Sequence, residues 1–194
     1  MKNKNLKAIA PICMALVATA ALGAVTPKGW YAAGSHPNDY KMSADHDVVH
    51  SGKASAHIES IVPQPAGFGT LMQAFKADTF RGQRVRMSGY VRSNAVGDWA
   101  GLWMRVDGPN SELLAFDNMQ DRPIKATNDW TKYDIVLSVP ENAKAIAFGL
   151  LLSGPGQVWV DDLSFQVVGK DVPTTGSKPG ESLPSAPTNL DFEE

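Results

Sequence analysis

Cysteine is almost absent from this sequence, since Cys13 is the only one among 194 residues. Cys13 lies in an apolar N-terminal stretch, so the rest of the chain can form neither a disulfide framework nor a cysteine-ligated zinc site. A basic excess is also missing, because 18 Lys and Arg stand against 20 Asp and Glu. Nucleic acids and anionic membranes are therefore not expected as partners. Beyond residue 24 there is no apolar run long enough to span a membrane.

The first 24 residues have the layout of a bacterial secretory signal. Lys2, Lys4 and Lys7 precede the apolar run Ala8–Ala24, which small residues close. We expect cleavage after Ala24 and export of the chain to the periplasm or the medium; the alternative is a single membrane anchor. Removal of this signal leaves 15 basic against 20 acidic residues, a net charge near −5.

Composition divides the remaining chain into three parts. Residues 25–168 alternate between apolar runs and turn signals, and their number suits one domain with an adequate core. Residues 169–188 are rich in Pro, Gly, Ser and Thr and predict a flexible linker. The chain ends on a short apolar and acidic motif at residues 189–194, Asn-Leu-Asp-Phe-Glu-Glu.

The globular part has a hydrophobic period of two, which predicts β-strands. Many short alternating segments separated by turn residues indicate an antiparallel β-sandwich or barrel, and the predicted fold class is all-β. The expected strands are Tyr40–Met42, Ala54–Ser60, Gly69–Ala77, Val85–Val91, Ala100–Val106, Glu112–Phe116, Tyr133–Val139, Ala145–Leu152 and Val158–Val168. Turns are expected at 94–98, 107–110, 140–142 and 153–156.

The same alternation predicts a ligand-binding face. Trp99, Trp103 and Arg105 share the non-core side of one strand, and Tyr90 and Arg92 the non-core side of the preceding one. If these strands are neighbours, an aromatic platform stands beside guanidinium donors. Such a surface suits a sugar, whose C–H face covers a flat ring while polar groups bond its hydroxyls. Alternatively, the tryptophans simply cover the sheet.

Catalysis finds little support in the sequence. The four histidines lie in the first third of the chain, without the spacing of a zinc site. Neither a Gly-x-Ser-x-Gly nucleophile elbow nor a phosphate-binding loop occurs. We therefore predict that the protein is not an enzyme.

Two regions of the sequence resemble a known family. The segment Asp129–Tyr133 leads through Val139-Pro140 and Ile146–Gly149 to Gly156–Asp162, and His50–Ser55 has the form of the family's turn into its third strand. These segments resemble galactose-binding-like jelly-roll domains, particularly bacterial carbohydrate-binding modules of the cellulase-associated, CenC-like type. The resemblance implies a jelly-roll β-sandwich and weakly implies a carbohydrate ligand.

One departure from the family concerns its opening strand. Family members open on a strand of the form Asn-x-x-Phe-Glu followed by a Gly-Trp pair, but here Gly29-Trp30 directly follows the signal. The counterpart Asn189–Glu193 lies at the far end of the chain. Either the domain is circularly permuted and closed by its own tail, or the tail enters a neighbouring copy in a strand-swapped assembly. A third reading is that the similarity of the tail is accidental.

The resemblance also implies a structural calcium ion. Asp161 matches the family's carboxylate on the last strand, Lys53 offers a backbone carbonyl, and Glu193 takes the place of the opening-strand carboxylate. Asp47 is close enough to add an oxygen ligand, as calcium requires. The alternative is that Asp161 only accepts hydrogen bonds from nearby backbone N–H groups.

Together these observations predict a non-catalytic exported module that binds a carbohydrate or a similar small polar ligand on a Trp/Arg face. The alternative is a structural, protein-interaction or sensory module without a sugar ligand.

Overall fold

The computed structural model describes residues 26–176, and within that range regular structure consists of nine β-strands and three short 3-10 helices. The all-β prediction is confirmed. The predicted signal, residues 177–188 of the predicted linker and the tail 189–194 lie outside the described residues. The strands are β1 (Tyr31–Gly34), β2 (Tyr40–Asp45), β3 (Ser55–Ser60), β4 (Phe68–Lys76), β5 (Arg84–Asp107), β6 (Leu113–Asp117), β7 (Ile124–Ser138), β8 (Ala145–Ser153) and β9 (Gln157–Val168). The 3-10 helices are Pro37–Asp39, Ala77–Phe80 and Pro109–Ser111.

The long strand β5 belongs to two sheets. Its first part, Arg84–Asn94, pairs with β7 and β9, and β9 continues through β3 to β2; we name this the back sheet. Its second part, Trp99–Asp107, pairs with β6 and β8, and β8 continues through β4 to β1; we name this the front sheet. Every pairing is antiparallel. A single strand therefore links the two layers of the sandwich.

The hydrophobic core lies between the two sheets. Met87 and Val91 of the back sheet and Leu102 and Leu150 of the front sheet are almost completely buried. Aromatic rings also meet across the core, since Phe165 of β9 lies 4.9 Å from Phe148 of β8 in an edge-to-face arrangement. Period-two alternation produces this core because every second side chain of each strand points inward.

Two sequence predictions about the strands were wrong. The segment 94–98 is not a turn, because β5 runs through it with register shifts between Val91 and Ala100 and a positive φ of 52° at Ala95. Asn and Gly at these positions allow a bend at which the strand changes sheets. The other error concerns β7, which begins at Ile124 rather than at Tyr133. Its first half is mostly exposed and polar, so it carries no clear apolar period.

Within residues 26–176 no helix has the length and apolarity needed to cross a membrane.

Candidate functional site

The outer surface of the front sheet carries a second apolar cluster, separate from the core. Ala33, Met72, Trp103, Ala147 and Leu151 are buried there, although they point away from the sandwich interior. Four half-buried aromatic residues pack around them: Tyr31, Phe68, Trp99 and Phe116. We name these nine residues the aromatic face. A contiguous apolar patch on the outside of a sheet is typical of a binding surface.

Trp103 forms the floor of the aromatic face. It is 9% exposed, and its indole N–H donates a 2.8 Å hydrogen bond to Thr70 Oγ1. The Thr70 hydroxyl in turn donates to the carbonyl of Leu150 over 2.7 Å. Trp103 is thus fixed by its neighbours, and the partly exposed Trp99 is the tryptophan that offers ring surface to a ligand.

Arg105 supplies a cation at the edge of the aromatic face. It lies opposite Phe116 in the β5–β6 pairing, so both side chains are on the outer side of the sheet. Its Nε–H donates to Asp107 Oδ1 over 2.7 Å. Among residues 26–176, its two terminal nitrogens have no hydrogen-bond acceptor, so they are available to a ligand hydroxyl or carboxylate.

The loop after β6 borders the aromatic face with polar groups. The loop meets the aromatic face at Gly101. A Cβ built at Gly101 would lie 3.1 Å from the Asn118 carbonyl of the loop and 3.5 Å from the Trp99 ring of the face. Beyond this loop is a cavity of about 400 Å³, which we name the side groove. It is lined by Phe116, Asp117, Asn118, Gln120, Asp121, Thr175 and Gly176.

The structure does not bring Tyr90 and Arg92 to this surface. Both belong to the back-sheet part of β5, whereas Trp99, Trp103 and Arg105 belong to its front-sheet part. Tyr90 stacks on His50 with ring centroids 3.8 Å apart, and Arg92 lies 4.0 Å from Asp129. The five predicted ligand residues therefore do not form one platform. The prediction failed because it assumed neighbouring strands, while these are successive halves of one strand.

Two of the predicted calcium ligands, Asp161 and Lys53, take part in hydrogen bonds. Asp161 Oδ2 accepts the backbone N–H of His50 and of Ser51, and Asp161 Oδ1 accepts that of Asp162. The carbonyl of Lys53 is bonded to His46 Nδ1 over 2.9 Å. Among residues 26–176 no three His, Cys, Asp or Glu residues are grouped as metal ligands.

The other two predicted calcium ligands are Asp47 and Glu193. Asp47 is exposed, and its backbone N–H donates to the side chain of Asp45. Glu193 lies outside the described residues, as does the tail that was expected to complete the sheet or to swap. Calcium and both roles of the tail stay predictions.

Several residues that shape the site escaped the sequence analysis. Tyr31 and Phe68 flank the aromatic face from β1 and β4, and Thr70 orients Trp103. The predicted strand Gly69–Ala77 includes Thr70 but not Phe68, since the observed strand begins one residue earlier. With that start, the period of two places Phe68 and Thr70 together on the outer face. Tyr31 carried no such signal, because β1 has only four residues.

His57, on the outer side of the back sheet, makes stability pH-dependent. It is 7% exposed, stacks on Trp159 at 4.6 Å, and lies 3.9 Å from Asp45 Oδ2. Burial lowers the pKa of His57 below its ordinary 6.5, although Asp45, Glu59 and Gln157 oppose that shift. As the pH falls below 6.5, the unfolded chain binds a proton that the folded chain resists, so stability falls. We expect urea midpoints to decrease from pH 7 to pH 5 in the wild type and less in His57→Gln.

The matched control for this experiment is His36→Gln, because His36 is exposed on the same chain. Its urea midpoint should fall between pH 7 and pH 5 as steeply as that of the wild type. If the midpoint of His57→Gln also falls as steeply as that of the wild type, His57 is not the group that makes stability pH-dependent.

A further loss of stability is expected at lower pH, from Asp45. Burial would raise the pKa of Asp45, but hydrogen bonds from Trp159, Asp47 and Val48 outweigh this effect and lower the pKa. A lowered carboxyl pKa contributes stability that disappears as the pH falls through 3.8 and below.

Solved structures of carbohydrate-binding modules have the same architecture. The xylan-binding CBM22-1 domain of Paenibacillus barcinonensis Xyn10C superposes with a TM-score of 0.53 at 17% identity, covering 74% of this chain and 88% of that one. The C-terminal family 22 module of Clostridium thermocellum Xyn10B gives 0.51 at 15% identity, with 75% and 89% covered. The chain has the β-sandwich fold of carbohydrate-binding modules. The predicted family resemblance is confirmed at the level of the fold.

The same fold also occurs inside larger chains. The enzymatically active domain of tailspike protein 4 from bacteriophage CBA120 superposes with a TM-score of 0.55 at 14% identity, and this chain covers 20% of it. At such identities the carbohydrate-binding-module fold is shared, and the ligand is not thereby defined.

One relative in sequence is a transcriptional regulator by name, not a carbohydrate-binding module. The uncharacterized HTH-type transcriptional regulator YbfP of Bacillus subtilis (strain 168) is 49% identical over 169 residues. That alignment covers 86% of this chain and 57% of the relative, so the chain spans little more than half of the relative's length. No protein-family profile matches the sequence.

Proposed function

We propose that this protein is a non-catalytic module that binds carbohydrate on the aromatic face. The observation that carries the proposal is the position of Trp99, a half-buried ring on the outer surface of the front sheet, on the same side of β5 as Trp103 and Arg105. A sugar stacks on such a ring through its C–H groups and bonds to guanidinium and amide groups through its hydroxyls. The fold supports the proposal, since two of the similar structures are xylan-binding or carbohydrate-binding modules by name.

Replacement of Trp99 by alanine tests the proposal. We expect Trp99→Ala to weaken glycan binding about tenfold or more, because about 1 kcal/mol of stacking is lost together with the apolar area that the sugar buries on the ring, and every 1.4 kcal/mol is a factor of ten. Affinity electrophoresis against xylan, cellulose derivatives, galactan and mannan measures the effect, after a glycan array has identified the glycans that bind.

The matched control is Trp130→Ala. Trp130 is also half-buried, but it lies on β7 near His50 in the back sheet. This variant should bind glycans as the wild type does. A wild-type protein that binds no glycan, or equal losses in the two variants, would refute the proposed function.

The absence of catalysis is part of the proposal. Two carboxylates beside the aromatic face are already paired, Asp107 with Arg105 and Asp117 with Arg122. Glycoside cleavage needs one carboxyl that holds a proton and a second that is free to act as base or nucleophile. Carboxylates that are already paired with arginines are better suited to recognition of a sugar than to cleavage. A reducing-sugar assay on every glycan that binds should therefore show no release of reducing sugar.

A second candidate function is ligand sensing, which the name of the B. subtilis relative favours. That relative is a transcriptional regulator by name, and 57% of it aligns with this chain. No α-helix occurs in residues 26–176, so this part of the chain supplies no recognition helix for DNA. Its contribution to a regulator would be ligand binding on the aromatic face.

The location of the protein discriminates between the two candidates. We propose export, supported only by the signal-like residues 1–24. N-terminal sequencing of the protein from periplasm and medium should find a chain that begins at Val25. An uncleaved chain in the cytoplasm would contradict export and favour sensing.

A further inference from the structure

The side groove opens next to the aromatic face. Phe116 belongs to both, and the Asn118 carbonyl and the Trp99 ring lie side by side over Gly101. A ligand chain that extends from the aromatic face past Phe116 or Asn118 therefore reaches the groove. Its volume of about 400 Å³ falls in the range of small-molecule sites.

One wall of the side groove comes from the segment that follows β9. We name residues 169–176 the strap. Arg84 Nη1 donates to the carbonyls of Lys170 and Val172, and the backbone N–H of Thr175 donates to the carbonyl of Val136 over 2.9 Å. The Thr175 hydroxyl accepts the N–H of Val136 and donates to Asp117 Oδ2. The strap thus runs from the back sheet, along the edge of β7, to the border of the aromatic face.

The groove is lined by groups that recognise hydroxyls. Asn118 Oδ1 accepts the backbone N–H of Gln120, and within residues 26–176 the side-chain amide of Gln120 has no partner. Phe116 adds a ring, and Asp117 and Asp121 add two carboxylates that share the single cation Arg122. The groove therefore carries a net negative charge. It suits a neutral polyhydroxylated ring and disfavours an acidic sugar.

We propose that the side groove holds a further sugar unit of a neutral oligosaccharide whose other units lie on the aromatic face. Because Thr175 and Gly176 form part of its wall, the bound oligosaccharide also holds the strap. This inference rests on the proposed function and adds to it a ligand class, a chain of neutral sugars, and a mechanical consequence at residue 176.

Chain-length dependence tests the site. Calorimetry with xylohexaose and xylobiose, and with cellohexaose and cellobiose as a second series, compares wild type with Gln120→Ala. We expect about a fivefold weaker affinity of Gln120→Ala for the hexaose, equivalent to one lost hydrogen bond, and no change for the biose, which the aromatic face accommodates alone. Lys125→Ala, an exposed residue outside the groove, is the control and should match wild type.

The outcomes separate this inference from the proposed function. Equal losses for hexaose and biose, or no loss for either, would overturn the groove as a subsite while the binding function stands. Failure of wild type to bind either series would overturn this inference, and the proposed function is then judged by the wider glycan array. A uronic acid at the unit that enters the side groove should weaken binding to wild type; equal or tighter binding of that oligosaccharide would contradict the predicted charge preference.

Limited proteolysis tests the strap. Lys170 is exposed in the strap, and trypsin cleaves after it. We expect xylohexaose to slow this cleavage about fivefold in wild type and in Thr174→Val, as stabilisation of the strap by about 1 kcal/mol requires. Thr175→Val lacks the hydroxyl that bonds Asp117 and Val136, so its cleavage should be insensitive to the sugar. Protection in Thr175→Val equal to that in wild type, or no protection in wild type, would overturn the coupling.

Discussion

Replacement of Asp117 by alanine is expected to lower the free energy of unfolding by about 2–4 kcal/mol, a large fraction of the stability of one domain. Its side chain is 3% exposed and accepts hydrogen bonds from two guanidinium nitrogens of Arg122, the N–H of Met119 and the hydroxyl of Thr175. Alanine leaves the Met119 N–H buried without an acceptor, because Met119 itself is 0% exposed. Arg122 is 33% exposed and can turn to water, which keeps the loss below that of a fully buried pair.

Asp121→Ala is the matched control, because Asp121 bonds the same arginine but its side chain is 72% exposed. Exposed ion pairs contribute little, so this variant should change the unfolding free energy by no more than about 0.5 kcal/mol. Urea denaturation followed by tryptophan fluorescence measures both variants. If Asp117→Ala and Asp121→Ala lose similar unfolding free energies, either carboxylate stabilises Arg122 equally well. Asp117 would then have no special role in organising the loop and the strap.

The sandwich was predictable because burial on one side of a sheet imposes a period of two. Met87 and Val91, or Leu102 and Met104, point inward at every second position, and neighbouring turn residues bound most strands. The exception is the bend at 94–98. There Asn94, Gly97 and Asp98 have the composition of a turn, and only the partners of β5, with β9 before the bend and β8 after it, decide that the strand continues. Such long-range pairing leaves no local trace in sequence.

The candidate site was predictable only for residues that share one strand. Trp99, Trp103 and Arg105 lie together because alternation applies within β5. Tyr31 and Phe68 join them through the pairing of β1 with β4, and Thr175 joins the site from a distant turn of the chain. Likewise, sequence proposes Asp161 as an oxygen ligand but does not show that His50 and Ser51 bring their N–H groups to it. The fold, not the composition, decides which groups that carboxylate meets.

Replacement of Gly149 by alanine is expected to be the most disruptive change on the aromatic face. Gly149 of β8 lies opposite Met72 on one side and Trp103 on the other. A Cβ at this position would lie 2.2 Å from the carbonyl oxygen of Leu71 and 2.9 Å from Trp103 Nε1. Because the first contact is with backbone, rotation of a side chain cannot relieve it, and β4 and β8 must separate. We expect a loss of about 3 kcal/mol, at the upper end for overpacking.

Gly101→Ala is the graded comparison on the same face, since Gly101 lies opposite Leu151, two positions along β8 from Gly149. Its Cβ would lie 3.1 Å from both the Asn118 carbonyl and Met119 Cβ, so the loop after β6 must move by a few tenths of an ångström. We expect a loss of about 1 kcal/mol in unfolding free energy, the lower end for overpacking.

The same two variants also test glycan binding. Gly149→Ala should also displace Trp103 from Thr70 and weaken glycan binding in the fraction that remains folded, whereas Gly101→Ala should bind with nearly wild-type affinity. If Gly149→Ala unfolds at the wild-type urea concentration, the close approach of β4 and β8 that shapes the floor of the aromatic face is not present in solution.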